Sequence, residues 1–236
     1  MWKMWFCIVI LLLIAGVFAE VERELHTFCI TRYKVLSPKW NGEKSGKIIF
    51  LSDLHNHEYG LHNKKLIDKI KKENPELILI VGDILVGKED ISYESAAEFV
   101  EAICKIAPVY YANGNHEQRM KEKPEKYGNA FVGYKKRLLD AGVHFLENES
   151  AEVELGGNKL CLTGLELQLE VYEKMKTHKV TKEDVAQKVA AKQEEIQILL
   201  AHNPEYMEAY QAWGSDITLS GHLHGGLICL PNGKSV

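Results

Sequence analysis

Residues 47–55 read KIIFLSDLH. The four residues 48–51 form an unbroken apolar run, which suits a strand buried on both faces. The run ends abruptly in Ser52-Asp53-Leu54-His55. The same pattern recurs downstream: LILIVGD at 77–83, PVYYANGNHE at 108–117, IQILLAHN at 196–203 and ITLSGHLH at 217–224. Each apolar run is followed within three residues by Asp, Asn or His. Amphipathic segments separate the first three runs. Residues 63–73 place Leu66, Ile67 and Ile70 on one face and end at Asn74-Pro75; residues 92–106 are the second such segment. This alternation of doubly apolar strands and helices predicts an α/β fold on a parallel sheet covered by helices.

The rest of the chain is read outward from that frame. Residues 124–142 predict a helix ending near Ala141-Gly142. Short strands are expected at 143–146, 151–155 and 159–163, the last two joined as a hairpin through Gly156-Gly157. Thr181, with Asp184 three residues on, caps a helix expected over 181–195. Asn203-Pro204 opens another that runs to Trp213-Gly214. A strand is expected at 27–35 and a last apolar run, LICLP, at 227–231. The 236 residues suit one domain, and 46% hydrophobic with 26% charged residues excludes a disordered chain. A net charge of −4 argues against a nucleic-acid partner. Five cysteines without a Cys-x-x-Cys pair argue against a zinc ribbon or a disulfide scaffold.

Residues 4–19 carry no charge, with Lys3 before them and Glu20, Glu22 and Glu24 after. As a helix the run spans ~24 Å, slightly less than the ~30 Å hydrocarbon core of a membrane. Two readings stay open. One is a single-pass cell-membrane anchor holding an extracytoplasmic catalytic domain. The other is a signal peptide cut after Val17-Phe18-Ala19, which would release a secreted protein. The expected organisation is a targeting segment at 1–19, a lead-in at 20–46 and a catalytic domain at 47–236.

In open α/β sheets ligands bind just beyond the carboxyl ends of strands. The polar clusters can therefore meet in space although sequence separates them widely. Two carboxylates, an amide oxygen and several imidazoles, without a thiolate, suit Mn, Fe or Zn as divalent ions. The candidates are too many for one tetrahedral site and suit two ions. Paired ions ~3.5–4 Å apart serve in-line displacement at phosphorus. Gly82, Gly114 and Gly221 stand where the backbone must approach them closely.

Asp53-x-His55, Gly82-Asp83, Gly114-Asn115-His116-Glu117, His202 and Gly221-His222-x-His224 resemble, in order and spacing, the calcineurin-like metallophosphoesterase superfamily. SDLHN, LLAHNPE and LSGHLHGG look like its membrane-anchored bacterial branch, the YkuE-like phosphoesterases. The resemblance runs from about residue 27 onward. It implies a four-layer α/β/β/α sandwich of two mixed sheets. It implies Asp53, His55 and His224 on one metal, Asp83 bridging, and Asn115, His202 and His222 on the other. His116 is implied as the catalytic residue at the phosphate, a role that suits a near-neutral pKa. The implied reaction is hydrolysis of a phosphate mono- or diester, or a pyrophosphate bond, by a hydroxide bridging two metals. A small phosphorylated substrate is expected, with a membrane lipid phosphate among the candidates. A non-catalytic scaffold and an incomplete, inactive fragment are the alternatives.

Two departures qualify the resemblance. The arginines that protein phosphatases of the family carry in these motifs are absent, and no aspartate follows Asp83 closely to orient His116. Relatives also continue past the Gly-His-x-His-Gly-Gly motif, so a sandwich lacking C-terminal strands is expected. His57 and His62 read as solvated loop residues or as an entrance lining. His26, His144 and His178 read as structural or surface residues, and the lysines of 63–73 as a solvated face. Cys104 and Cys161 read as core residues.

Overall fold

The computed structural model describes residues 2–41, 44–173, 178–191 and 194–224. The chain begins with α1 (Trp2–His26), a single helix of 25 residues, about 37 Å long, with no buried side chain. It is long and apolar enough to cross a membrane, with a mean hydropathy of 2.6. Residues 27–37 form no strand, against the strand expected at 27–35. Phe28 and Ile30 are half-buried while Cys29 is exposed. Phe28 and Ile30 press onto the domain surface without a backbone strand partner, while residues 31–36 are all exposed.

The apolar runs become strands as expected. β1 (Ile48–Leu51) leads through the loop to α2 (Lys64–Glu73) and back to β2 (Leu77–Val81). α2 ends where Asn74 takes a left-handed conformation, φ 50°, before Pro75. Then follow α3 (Glu94–Cys104), β3 (Val109–Ala112), α4 (Asn115–Glu122), α5 (Pro124–Tyr127), α6 (Ala130–Asp140) and β4 (His144–Phe145). The helix expected at 124–142 is thus two helices. Gly128, at φ 57°, breaks them apart. The hairpin forms between β5 (Ser150–Leu155) and β6 (Asn158–Leu165), with Gly156 and Gly157 both at positive φ.

α7 (Lys182–Lys188) starts at the Thr181–Asp184 capping box but is shorter than expected. Val189 turns extended, is buried in the core, and its carbonyl accepts from Trp213 Nε1 at 3.0 Å. Burial of that side chain ends the helix. β7 (Ile196–Ala201), α8 (Met207–Trp213) and β8 (Ile217–Leu219) complete the described elements. Asn203 Oδ1 accepts from Glu205 N–H ahead of α8, the expected cap. The LICLP run, Cys229 and the glycines at 225 and 226 lie outside the described residues.

The strands form two four-stranded sheets, β1-β2-β3-β4 and β5-β6-β7-β8. Among the described residues the first is parallel throughout, whereas in the second β5 is antiparallel to β6. Among the described residues the second sheet is the mixed one. The alternation along β2 builds the layers. Leu77, Leu79 and Val81 face Leu160, Leu162, Ile198 and Leu200 of the second sheet. Ile78 and Ile80 face Phe99, Val100 and Ile103 of α3 and Leu138 of α6. On the far side Leu199 and Ala201 pack against Val185, Tyr210 and Trp213. Helices, sheet, sheet, helices is the expected α/β/β/α order. The carboxyl ends of β1, β2, β3, β7 and β8 point to one end, and the chemistry-bearing clusters follow them there.

Candidate metal centre

Each predicted ligand sits in the first residues after a strand. Asp53 and His55 follow β1, Asp83 follows β2, Asn115 and His116 follow β3, His202 follows β7, and His222 and His224 follow β8. The backbone there is strained. Asp53, His55, Asp83, His222 and His224 all take φ between 49° and 71°, a region side chains other than Gly rarely visit. The glycines allow close approach. A Cβ on Gly114 would lie 2.2 Å from Asp83 Oδ1, and one on Gly221 2.3 Å from Asp53 Oδ2.

The ligand atoms converge. His55 Nε2 is 3.0 Å from His224 Nε2 and 3.8 Å from Asp53 Oδ1. Asp53, His55 and His224 offer atoms all within 4.8 Å of one another, as do Asp83, His202 and His222. The two groups adjoin, because His55 Nε2 is 3.8 Å from Asp83 Oδ2 and His202 Nε2 is 3.7 Å from Asp53 Oδ1. A third such group joins His55, Asp83 and His116. Each carboxylate is held by a backbone amide: His116 N–H donates to Asp83 Oδ1 at 2.8 Å, and His222 N–H to Asp53 at 3.0 Å.

The donor set fits a divalent metal on two observations. Asn115 Oδ1 and His202 Nε2 are buried without a hydrogen-bond partner, a costly state unless another ligand meets them. His202 Nδ1 lies 2.7 Å from the Val81 carbonyl and donates to it. In the neutral ring that leaves the Nε2 lone pair free and aimed at Asp83 Oδ2, 3.1 Å away. Burial opposes charge on both groups, but their mutual attraction is stronger. It holds Asp83 below the usual carboxylate range and raises His202. The pocket therefore draws a cation to this spot, and a proton on Nε2 satisfies it in the absence of metal. Burial lowers His55 and His222, keeping them neutral and able to coordinate.

His116 differs from its sequence-based expectation. Its Nδ1 accepts from Gly87 N–H at 2.8 Å, so the neutral ring carries its proton on Nε2, 3.9 Å from Asp83 Oδ2. The orienting partner is thus a backbone amide where an aspartate was sought. Burial, only partly offset by Asp83, pulls the pKa down to about 4 rather than leaving it near neutral. Tyr127 Oη donates to the Gly87 carbonyl at 3.2 Å and braces that loop.

Three supporting residues escaped the sequence reading. Glu117 is fully buried and accepts from Asp83 N–H, Ile84 N–H, Gly114 N–H and Tyr111 Oη, at 2.8, 3.1, 3.0 and 2.7 Å. Burial and the Asp83 charge push its carboxyl up to about 7, against the pull of those donors. Glu117 was visible in its motif, but two of its four partners, Asp83 and Ile84, lie 34 and 33 residues away. Tyr172 stands edge-on to His222 with ring centroids 5.1 Å apart, and no motif flags it. Gly87 carries no chemistry-bearing side chain to notice. His62 and His144 take the plainer reading. His62 pairs with Glu98 at 3.0 Å and His144 stacks on Tyr110.

Two facing sheets with Asp and His converging at their strand ends define a metal-binding α/β sandwich. The chain belongs to the calcineurin-like phosphoesterase family, whose profile matches residues 46–226. It is 26% identical over 208 residues to the uncharacterized protein YpbG of Bacillus subtilis strain 168, covering 86% of this chain and 68% of that protein. It is 26% identical over 191 residues to the uncharacterized metallophosphoesterase YkoQ of the same strain, covering 80% and 64%. It is 25% identical over 188 residues to the phosphodiesterase YaeI of Escherichia coli K12, covering 78% and 63%. The chain thus spans roughly two thirds of the length of these relatives. Family membership implies divalent metal ions and hydrolase chemistry.

Proposed function

We propose that the protein is a metal-dependent phosphoesterase with two divalent ions, Mn, Fe or Zn. Asp53, His55 and His224 hold the first, Asp83 bridges, and Asn115, His202 and His222 hold the second. When bound, such ions make water nucleophilic near neutral pH and offset charge on phosphoryl oxygens. The chain's own residues prepare the site. Glu117 fixes the backbone on both sides of Asp83, so its carboxylate cannot swing away. Gly87 N–H fixes the tautomer of His116 and turns its Nε2–H toward the cluster. A neutral His116 of that tautomer donates a hydrogen bond to a phosphoryl or leaving-group oxygen. That suits it better to stabilising charge than to delivering a proton from an imidazolium.

One observation carries this reading: two adjoining ligand groups share a cradle in which Asn115 Oδ1 is buried without a partner and His202 Nε2 faces Asp83 Oδ2. The similarity to the phosphodiesterase YaeI favours a diester among the possible substrates. α1 is long and apolar enough for an anchor; on the resemblance to the YkuE-like branch, the proposal keeps it as a retained anchor, with residues 47–236 as the catalytic domain outside the cytoplasm. The test is hydrolysis of p-nitrophenyl phosphate and bis-p-nitrophenyl phosphate by protein of known metal content. Metal-dependent turnover of either supports the proposal. Equal turnover by wild type and a metal-free Asp83→Asn protein overturns it.

A further inference from the structure

α1 and the metal centre meet at the same end of the domain. The Leu25 carbonyl at the foot of α1 lies 2.7 Å from Nε2 of His57, two residues beyond His55. The Phe28 ring stands edge-on to Tyr59 at 4.8 Å, and Tyr59 to His57 at 4.6 Å. From there the chain descends the domain. Arg32 pairs with Glu73 at the far end of α2. Lys39 Nζ reaches the Glu195 carbonyl at 3.1 Å and Asp216 at 2.7 Å, just before β7 and β8 begin. Asn41 N–H donates to Asn158 Oδ1 at the start of β6. Residues 27–41 are thus a strap along the height of the sandwich, fastened at both ends. Its upper end is pinned to the rim of the site.

Distance makes this consequential. The uncharged run ends at Ala19, and the helix continues through Leu25. Six further residues carry it about 9 Å past the apolar stretch. The headgroup layer of a bilayer is roughly 5–8 Å deep on each side. A rim pinned at Leu25 therefore stands at headgroup level rather than tens of ångströms into solution. The same loop presents Leu61, 78% exposed, an apolar contact of the kind that enters a bilayer surface.

We propose that the mouth of the metal centre faces the bilayer crossed by α1. Its substrate is then a phosphate ester carried by a lipid of that leaflet. The inference rests on the phosphoesterase reading and on retention of α1. The reaction is hydrolysis: a water oxygen bonds to phosphorus, the P–O bond to the lipid alcohol breaks, and a water proton ends on that alcohol.

Two measurements on the full chain in phosphatidylcholine vesicles test this. In the first, a benzophenone-bearing residue is placed at Leu61, on the rim, or at Lys159, in the hairpin at the opposite end. Photolysis is expected to join lipid to the first and not the second. No lipid adduct at residue 61 overturns the inference whatever the activity. In the second, the vesicles carry phosphatidic acid or phosphatidylglycerol, and p-nitrophenyl phosphate and its diester serve as soluble controls. A flexible insert of about thirty residues after Glu24, which leaves Leu25, Phe28 and Arg32 with their contacts on the domain, frees the rim from the bilayer by about 30 Å. Turnover of vesicle lipid is expected to fall at least ~10-fold through loss of effective concentration, with soluble turnover unchanged. Soluble turnover without lipid turnover in the wild type, or lipid turnover indifferent to the insert, overturns the inference alone. Absence of soluble turnover in metal-loaded wild type removes the phosphoesterase reading, and this inference with it.

Discussion

Glu117 shows how a single residue organises the site without being one of its ligands. Its carboxyl occupies a fully buried position and collects three backbone N–H groups and the Tyr111 hydroxyl. Removing one partner of a hydrogen bond to a charged group costs about 1.5–3 kcal/mol. Tyr111→Phe is therefore expected to lower unfolding free energy by about that much in urea titrations. Glu117→Ala strands all four donors and should cost more. His116→Ala belongs to the same scale with the opposite signature. Turnover is expected to fall ~10²–10⁴-fold, the usual span for a positioned hydrogen-bonding or proton-transfer group, while bound metal is retained. Loss of metal from His116→Ala would make His116 a ligand, as its place in the third ligand group allows. The ligand candidates were legible because each ends an apolar run. Their supports were not, because Asp83 and Gly87 meet Glu117 and His116 only across folded distance.

At the scale of elements, legibility followed burial. β2 is buried at every position, and its continuous apolar run could be read directly. α4 could not, because its sequence, NHEQRMKE, has no apolar stripe. It buries Asn115, Glu117, Gln118 and Met120 instead, for ligation and bracing. The strap failed as a strand because pairing depends on a neighbour that the local sequence does not reveal. Two substitutions probe elements directly. Leu79→Ala opens a hole between the sheets and should cost ~2–5 kcal/mol of stability. Thr181→Ala removes the cap of α7 and should cost ~0.5–2 kcal/mol. Denaturant unfolding measures both, and a smaller loss for Leu79→Ala than for Thr181→Ala would contradict the assigned layers.

The whole molecule is held beside the site by a charged network that joins both sheets. Asn113, after β3, donates to Glu147 and Glu166 at 2.8 and 2.7 Å. Lys135 of α6 pairs with Glu147 at 2.6 Å, and Lys121 of α4 with Glu166 at 2.8 Å. Burial raises the Glu147 carboxyl, but the hydrogen bond from Lys135 and the charge of Lys121 outweigh it, so its pKa is lowered. A lowered carboxyl stabilises the fold above its unfolded value, about 4.3, and loses that contribution as pH falls through the folded value. Glu147→Gln should therefore destabilise the protein at pH 7, and the gap to wild type should close on acidification. A gap that widens toward acid would contradict the network. The central claim, that the cluster is a two-metal centre for phosphoester hydrolysis, is tested most directly by elemental analysis beside bis-p-nitrophenyl phosphate turnover, before and after dialysis against chelator. The expected result is two divalent ions per chain, loss of turnover with the ions and recovery when they return. Undiminished turnover in protein stripped of metal would contradict it.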